Sequence, residues 1–558
     1  MTTLQCATRG NVRHGHGVHL ISRCTPLGEL QSRLKELTTT ALKSGQPVRL
    51  GIDFGTTRTV VAAVDRGNYP LLSFENPDGA HVDWFPSLVA VRGGERLYGW
   101  QAWAYQQDPD WTIIRSLKRV LQDAGPNTLL ELADQRVPLI QVLREMAAAL
   151  RALLPQEKLE VMLGVPANAN SNQRFLTVDA FRFAGCDVIG LLNEPSAASI
   201  EFGHKTKING LILVYDLGGG TFDASLVEVG ERTHRPLATE SIATLGGDDF
   251  DEILAEMATT SDDRDSLSQS EHFRLLEECR LRKEALSPNT RRIVIDLANV
   301  REGWSTVTIP VAEYYERCRP LVDETLHVVE DLLEAHGAGI AALYVTGGGS
   351  ELPIVSRVLR EQFGKRVQRS VHARSATALG LAIQADAQAG YILREKFTRY
   401  FGVWREGDAG QRILFDPLFQ KGAALPGPGE RALEIRRHYK PVHNLGHFRY
   451  LECSHLDNEN QPRGDVTVWD EIQFPFDPSL RDADRAPVEH SAAAQSQEIE
   501  EKYSIDASGT VTITITNLSA GYQRIYSLGR WAAKDALITP AKARMRHATR
   551  KPAEGRRR

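Results

Sequence analysis

The apolar positions of the chain repeat one pattern in two places. Residues 48–65 predict a buried strand, a tight turn around Gly55 and a second strand. Residues 211–229 repeat this order, with a run of three glycines in the turn. The sequence therefore predicts that one supersecondary unit, a β-hairpin, occurs twice, about 160 residues apart.

Between and after these hairpins the pattern alternates between strand and helix. A buried strand is predicted at 159–166, a strand–turn–helix unit at 343–363 and a helix of small residues at 376–388. The apolar spacing predicts further helices around 100–122, 138–154, 171–185, 249–260, 271–287 and 311–336. This mixture is typical of an α/β fold.

The two ends of the chain do not show this alternation of strands and helices. From about residue 390 the pattern is strand-rich, and Val511, Ile513 and Ile515 alternate with threonines as in a half-buried strand. Residues 1–46 are polar, with a short helix expected at 27–42, and the histidines near residue 16 read as part of a flexible arm. Residues 542–558 form a basic tail, which we interpret as a solvated terminus.

Composition narrows the class of protein. The 558 residues are 42% hydrophobic and 25% charged, with a net charge of −5, which argues against a disordered chain and against a dedicated nucleic-acid binder. No apolar run predicts a membrane span, and no signal-peptide core is apparent at the N-terminus. The six cysteines include no CxxC pair, so we expect neither a zinc site nor a disulfide framework, and a cytoplasmic location.

The hairpin turns carry the candidate chemistry. Each follows an aspartate at a strand end, Asp53 in the first hairpin and Asp216 in the second. Small residues let backbone N–H groups approach an anion, and a carboxylate can hold a hydrated Mg²⁺. If the two hairpins face each other, they would bind a β,γ-phosphate pair. The alternative interpretation is that they are two ordinary hairpins with glycine turns and bind no ligand. A third glycine run at 347–349 favours the phosphate-binding interpretation, and neither a P-loop nor a dinucleotide-binding motif occurs.

Six motifs in order resemble those of a known family. These are GIDFGTTRTVVAAV, VPANANSNQR, NEPSAASIEFG, DLGGGTFDASL, LGGDDFD and TGGGSELP. They are similar to motifs of the 70-kilodalton heat-shock protein family, the DnaK-type chaperones of the actin and hexokinase superfamily. The resemblance is strong over residues 47–386 and weaker beyond them.

The resemblance implies a fold and a division into domains. We expect an α/β, two-lobed, actin-like (ribonuclease-H-like) ATPase domain, followed by a β-sandwich-like peptide-binding domain. The expected order is an N-terminal extension, the ATPase domain, a linker, the β-rich domain and a basic tail, at 1–46, 47–386, 387–398, 399–535 and 536–558. Too few residues follow position 535 for the helical lid of the family, so we expect a lidless peptide site.

The resemblance also implies roles for individual residues. Asp53 and Asp216 are expected to hold Mg²⁺, and the expected catalytic residues are Lys118, Glu194, Asp216 and Asp223. Contacts to ATP or ADP are expected from Gly55, Thr56, Thr57, Gly218, Gly219, Gly220, Thr221, Gly246, Gly247, Lys283, Ser287, Gly347 and Gly348. Asp223 is also the candidate for a K⁺ site.

The chain departs from the family at the adenosine end. The family has a glutamate where this chain has Arg280, and arginines where it has Glu284 and Glu351. A glutamate cannot stack on adenine as a guanidinium does. The arginine that docks J-domain partners in the family is replaced by Gly190, which leaves a J-domain partner an open question.

The resemblance favours one function over two alternatives. The first is an ATP-dependent chaperone-like protein, whose slow ATP hydrolysis controls binding of unfolded polypeptide or a dedicated client, with a nucleotide-exchange factor as a further partner. The second is a nucleotide-gated scaffold with little hydrolysis. The third is a small-molecule kinase of the same superfamily, against which the β-rich C-terminal region and NEPSAA argue. No membrane partner is expected.

Overall fold

The structure is a computed structural model that describes residues 47–527 and 537–538, apart from positions 126, 134, 338, 408–411, 428–429, 483–485 and 508. All of these belong to one contact unit that begins at Pro47. The helix expected at 27–42, the N-terminal histidines and the basic tail at 542–558 lie outside the described residues.

The described residues alternate between helices and strands. The helices are α1 (Trp100–Trp103), α2 (Leu117–Val120), α3 (Leu139–Leu153), α4 (Ser171–Phe183), α5 (Glu194–Lys205), α6 (Gly247–Ala258), α7 (Ser261–Asp265), α8 (Gln269–Glu284), α9 (Val311–His336), α10 (Pro353–Phe363), α11 (Ala376–Ala385) and α12 (Ala492–Gln495). The strands up to the second hairpin are β1 (Val48–Phe54), β2 (Arg58–Ala63), β3 (Phe74–Glu75), β4 (His81–Val82), β5 (Phe85–Pro86), β6 (Val89–Arg92), β7 (Glu95–Tyr98), β8 (Thr112–Ile114), β9 (Leu129–Leu132), β10 (Gln135–Pro138), β11 (Leu159–Val165), β12 (Asp187–Asn193), β13 (Gly210–Leu217) and β14 (Phe222–Val229). The remaining strands are β15 (Thr233–Ile242), β16 (Arg292–Ile295), β17 (Val307–Pro310), β18 (Ala342–Thr346), β19 (Val367–Arg369), β20 (Ile392–Leu393), β21 (Tyr400–Gly407), β22 (Arg412–Phe419), β23 (Leu433–Tyr439), β24 (Leu445–Leu456), β25 (Pro462–Pro475), β26 (Ile499–Ile505), β27 (Val511–Asn517), β28 (Tyr522–Ser527) and β29 (Leu537–Ile538).

The two predicted hairpins each form the centre of a larger sheet. The first sheet has the order β12-β11-β1-β2-β5, and the second has the order β19-β18-β13-β14-β15-β20. In both, the first hairpin strand pairs antiparallel with its hairpin partner and parallel with a later strand. The sequence repeat is therefore a repeat of sheet topology, and it places the two aspartate-led turns at equivalent positions.

Two helices of small residues pack closely between these sheets. A Cβ atom at Gly380 of α11 would lie 1.8 Å from the carbonyl oxygen of Ala197 in α5. A Cβ atom at Gly51 of β1 would lie 2.3 Å from the backbone nitrogen of Ala382 in α11. Since α5 begins at Glu194 and β1 contains Asp53, this contact fixes two candidate site residues relative to each other.

One large apolar core supports the second sheet. It joins one face of the β13–β14 hairpin to the inner faces of α6, α8, α9 and α10, with Tyr215, Phe222, Phe250, Leu275 and Tyr314 fully buried. Burial of apolar side chains of this size stabilises a fold by about 1.5–3 kcal/mol each. The four cysteines within the described residues are buried and free.

The C-terminal part is a pair of four-stranded antiparallel sheets, in the orders β22-β21-β24-β25 and β23-β26-β27-β28. One apolar core joins them, with Phe401 and Tyr450 from the first sheet and Ile513 and Ile515 from the second fully buried. The alternation of isoleucines and threonines in β27 thus places the isoleucines inward.

One predicted element was wrong. The segment 100–122 is not one helix, because α1 ends at Trp103 and turns, strand β8 and the short helix α2 follow it. Pro109 lies in the turns between α1 and β8, where the missing N–H of a proline would break a helix. Among the described residues, no helix combines the length and the apolar character needed to cross a membrane.

Candidate functional site

The two hairpin turns face each other across a cavity. A Cβ atom at Gly219 in the second turn would lie 3.1 Å from Oγ1 of Thr57 in the first turn. At Gly220 it would lie 2.8 Å from Oγ1 of Thr56. The opposite turn thus leaves little room for side chains at the second and third residues of the glycine run.

A third glycine segment closes on the aspartate of the second hairpin. Gly347 follows strand β18, which pairs with β13 so that Thr346 lies beside Asp216. Gly347 has a φ of +85°, and a Cβ atom there would lie 2.4 Å from Oδ1 of Asp216. Both the backbone conformation and the space therefore demand glycine at position 347.

A buried ion pair lies between the hairpins. Lys118 of α2 donates a hydrogen bond from Nζ to Oε1 of Glu194, the first residue of α5. The two side chains are 6% and 10% exposed. Burial alone would lower the pKa of Lys118, but the charges of Glu194 and Asp53 outweigh burial and raise the pKa above its ordinary value. Lys118 is therefore a permanent cation here.

The aspartates around this pair hold protons unusually well. Burial, with the charge of Glu194 added, raises the pKa of Asp53 to about 7. The same two causes raise the pKa of Asp223 to about 6 and that of Asp216 well above its ordinary value. Four carboxyl groups surround one lysine, so the site carries an excess of negative charge that a bound cation would relieve.

One cavity of about 110 Å³ brings most of the predicted residues together. Fourteen of them line it: Asp53, Gly55, Thr56, Thr57, Lys118, Glu194, Asp216, Gly218, Gly219, Thr221, Gly247, Lys283, Gly347 and Gly348. These come from both large sheets and from α2, α5, α6 and α8. Their roles toward a ligand stay predictions.

Four predicted residues do not line this cavity. Gly220 and Gly246 lie behind its wall, where a Cβ atom at Gly246 would be 2.6 Å from the nitrogen of Gly220. Asp223 is 1% exposed and accepts hydrogen bonds from the nitrogen of Ala167 and from the Ser241 hydroxyl. Ser287 lines an outer cavity instead. Asp223 therefore shapes the site through its charge and through the hairpin that it stabilises.

The sequence analysis did not predict two acidic residues of α6, Asp248 and Asp251, that also line the cavity. Asp248 accepts a hydrogen bond from the Ser116 hydroxyl at 2.5 Å, and Asp251 lies 2.7 Å from Nζ of Lys283. Both line the cavity. Burial would raise the pKa of Asp248, but the charges of Arg115 and Arg119 outweigh burial and lower it to about 2. The LGGDDFD motif was the available signal, and it gave no indication of which partners these aspartates would have.

The donor set of the cavity fits a hydrated magnesium ion better than a dedicated metal cage. Among the residues that the structure describes, no group of three or more His, Cys, Asp or Glu side chains is arranged to hold a metal ion. Mg²⁺ keeps several waters and is usually bound through one or two carboxylates together with substrate phosphates. Asp53 and Asp216 would supply these two carboxylates. Their pKa values are raised, and a bound cation would lower them again.

Comparison with known proteins shows what part of the chain is similar to. The sequence model described as "Hsp70 protein" matches residues 132–397. The chain is 33% identical over 374 residues to a chaperone protein HscA homolog of Polynucleobacter necessarius, covering 62% of this chain and 58% of that protein. The region that these comparisons cover is similar to Hsp70-family proteins. It is also 31% identical to the chloroplastic heat shock 70 kDa protein 6 of Arabidopsis thaliana over 382 residues, covering 62% of this chain and 52% of that protein.

The match to the Hsp70 family has clear limits within the chain. The region that matches the family model includes Glu194 and Asp216, whereas Asp53 and Lys118 lie before its first residue, 132. The chain spans about three fifths of the length of the relatives whose names contain HscA. The first hairpin is therefore assigned to the site by its geometry, since it faces the Hsp70-like second hairpin across one cavity.

Proposed function

We propose that this protein binds ATP between the two hairpins, hydrolyses it slowly and uses the nucleotide state to control binding of a polypeptide. The observation that supports this most is the cavity that joins Asp53, Lys118, Glu194 and Asp216 to three glycine turns. The relatives are named as chaperones, which supports the polypeptide part of the proposal.

The proposed chemistry is transfer of the γ-phosphoryl group to water. Backbone N–H groups of the turns and the hydroxyls of Thr56 and Thr221 would bind the phosphates. Asp53 and Asp216 would hold Mg²⁺, which supplies charge neutralisation at the phosphate oxygens. Lys118 would stabilise charge on the γ-phosphate, and Glu194 would orient the attacking water. Such catalysis consists of positioning and electrostatic stabilisation, which suits a buried and rigid site.

Glu395 is the proposed link between this site and the C-terminal sandwich. It is 5% exposed and accepts hydrogen bonds from the backbone nitrogen and the side-chain amide of Asn193, at 2.8 and 2.7 Å. Asn193 directly precedes Glu194 and also accepts a hydrogen bond from Arg174 at 2.7 Å. A shift of Glu194 on nucleotide binding would therefore be transmitted to the segment that enters the sandwich.

A second buried contact joins the sandwich itself to α4. Glu452 of β24 is 1% exposed and accepts hydrogen bonds from the nitrogen and the hydroxyl of Ser171. Arg399 lies 3.5 Å from Glu452 and donates to Thr467 of β25 at 3.2 Å. Because these groups are removed from water, their separation would be costly unless each found a new partner. We propose that this contact is one of two states, between which the nucleotide selects.

The proposed division into domains follows these contacts. Residues 47–386 would form the ATPase domain, 387–398 the coupling linker and 399–535 the polypeptide-binding domain. A second candidate function is a nucleotide-gated scaffold with little hydrolysis. The ion pairs of Glu284 and Glu351 with Arg58 and Arg374 favour it, since they would oppose entry of a nucleotide and so reduce turnover.

Steady-state ATP hydrolysis tests the proposal. We expect slow turnover by the wild-type protein that rises when a permanently unfolded, reduced and carboxymethylated protein is added. Lys118→Ala should reduce turnover by about 10²-fold or more, because a preorganised charge is lost from the transition state. Arg235→Ala, which removes an exposed pair with Glu228, is the control and should hydrolyse ATP normally. Equal turnover by Lys118→Ala and the control would refute the assignment, and nucleotide-dependent partner binding without turnover would favour the scaffold.

A further inference from the structure

A chain of ion pairs occupies the nucleoside end of the site. Glu284, at the end of α8, accepts hydrogen bonds from Arg58 at 2.7 Å and from Arg374 at 2.9 Å. Arg374 also donates from Nε to Glu351 at 2.5 Å, and Glu351 lies 3.4 Å from Arg369. The chain thus connects the first hairpin, α8, the third glycine turn and the segment before α11.

This chain lies between two cavities that meet at Glu284. The inner cavity contains the phosphate-binding turns and has a volume of about 110 Å³. The outer cavity measures about 750 Å³ and is lined by Glu284, Ser287, Glu351 and Arg369 among others. A triphosphate in the inner cavity would direct its nucleoside toward Glu284, where the two cavities meet and where Arg374 of the inner cavity is paired. The volume of the outer cavity admits a purine or a pyrimidine.

The polar groups at this end already have protein partners. Glu284 has three arginines within ion-pair distance and Glu351 has two. The Ser287 hydroxyl lies 3.0 Å from that of Thr290, and Gly349 lines the inner cavity without a side chain. A site rejects a related ligand strongly only when the wrong ligand leaves a buried polar group of the site unpaired. Here exchanging one base for another leaves each of these groups paired as before.

Arginine provides a different kind of contact with a base. A guanidinium plane stacks on aromatic rings and attracts their π-electrons, and such stacking tolerates any base because each has a π-face. Arg374 is 35% exposed, lines the inner cavity and is fixed by carboxylates on two sides. Arg58 already lies over the ring of Trp84, with 4.7 Å between the guanidinium carbon and the ring centroid.

We propose that the site selects nucleotides by the triphosphate tail and not by the base, with Arg374 as the residue that holds the base. This inference rests on the proposed function, since it assumes that a nucleotide binds between the hairpins. The substrate class is then nucleoside triphosphates in general, with the purine and pyrimidine forms bound similarly.

Competition binding tests the selectivity. A fluorescent ATP analogue bound to the full-length protein with Mg²⁺ would be displaced by ATP, GTP, CTP or inorganic tripolyphosphate. We expect the three nucleotides to differ by less than about tenfold in affinity. Binding of ATP more than about 100-fold tighter than GTP and CTP would overturn the inference while leaving the proposed function intact. Binding of neither nucleotides nor tripolyphosphate would refute both.

Variants of Arg374 test the residue. Arg374→Ala should weaken ATP, GTP and CTP alike, by about fivefold or more, and leave tripolyphosphate affinity unchanged. Arg374→Lys should restore little of the loss, because an ammonium group lacks the planar face. Arg235→Ala, on the exposed pair with Glu228, is the control and should bind all four ligands as the wild type does. Loss of tripolyphosphate together with the nucleotides, or no loss of any ligand, would refute the role of Arg374.

Discussion

The inner cavity is lined by more carboxyl groups than cationic side chains at its phosphate-binding end. Asp53, Glu194 and Asp216 line it together with Lys118, whose amine is already hydrogen-bonded to Glu194. One lysine does not neutralise three carboxyl groups, and the raised pKa values of Asp53 and Asp216 express that imbalance. A divalent cation would remove it, so protons and Mg²⁺ should compete for these aspartates.

This competition predicts proton release from Asp53. Its pKa of about 7 means that the carboxyl group is largely protonated in the nucleotide-free protein at about pH 6, whereas Mg²⁺ requires the carboxylate. Affinity for Mg²⁺ with ATP should therefore strengthen as pH rises toward 7. Calorimetry at about pH 6 in two buffers of different ionisation enthalpy measures the protons released. Asp53→Asn should release fewer than the wild type, and Glu228→Gln, on an exposed salt bridge, should release as many.

The same pKa shift has a consequence for stability, with the opposite sign to the usual aspartate case. The folded protein keeps a proton on Asp53 that the unfolded chain has released above about pH 4. The contribution of Asp53 to the free energy of unfolding should therefore fall between about pH 4 and pH 7. If urea titrations of wild type and Asp53→Asn, without nucleotide and Mg²⁺, differed by a constant amount over this range, the raised pKa would be refuted.

At the scale of elements, the helix pair α5–α11 sets the distance between the two sheets. The contact depends on Gly380, whose missing side chain lets α11 approach the backbone of Ala197. Because α5 carries Glu194 at its first residue, the packing of this pair also positions the site.

Gly380→Ala should therefore destabilise the protein. The added methyl group would overlap backbone atoms, which cannot rotate away, and overpacking of this kind costs about 1–3 kcal/mol. Gly339→Ala is the control, because a Cβ atom at Gly339 meets no atom within 4 Å. Urea denaturation compares the two variants. Equal midpoints would show that the helices can separate without cost.

The segment that enters the sandwich is the second element with a testable role. Burial raises the pKa of Glu395, and hydrogen bonds from Asn193 and the charge of Arg174 act against this rise. Glu395→Ala should keep nucleotide affinity but abolish the effect of ATP on polypeptide affinity, measured by fluorescence anisotropy of a labelled unfolded peptide. Arg394→Ala is the control, since Arg394 makes only an exposed pair with Glu430 among the interactions described, at 2.7 Å. Retained coupling in Glu395→Ala would exclude this route.

At the scale of the whole molecule, the sequence predicts the parts of the site that are local. The two hairpins, the third glycine turn and the inward isoleucines of β27 follow from spacing and turn chemistry. The ion pairs of Glu284 with Arg58 and Arg374 could not be predicted, because these residues are far apart in the chain and their pairing depends on how the sheets pack. The prediction of a helix at 100–122 was wrong because the spacing of apolar residues fits a helix on both sides of Pro109 and does not show that the helix ends before it.

The proposed function requires that the two aspartate-led hairpins bind a magnesium-bound triphosphate between them. Titration calorimetry of ATP with Mg²⁺, on wild type, Asp216→Ala and the surface control Arg235→Ala, tests it most directly. We expect binding by wild type and control, loss of binding by Asp216→Ala, and a large reduction in wild-type affinity when Mg²⁺ is removed. Equal affinity of Asp216→Ala and wild type in the presence of Mg²⁺ would contradict it.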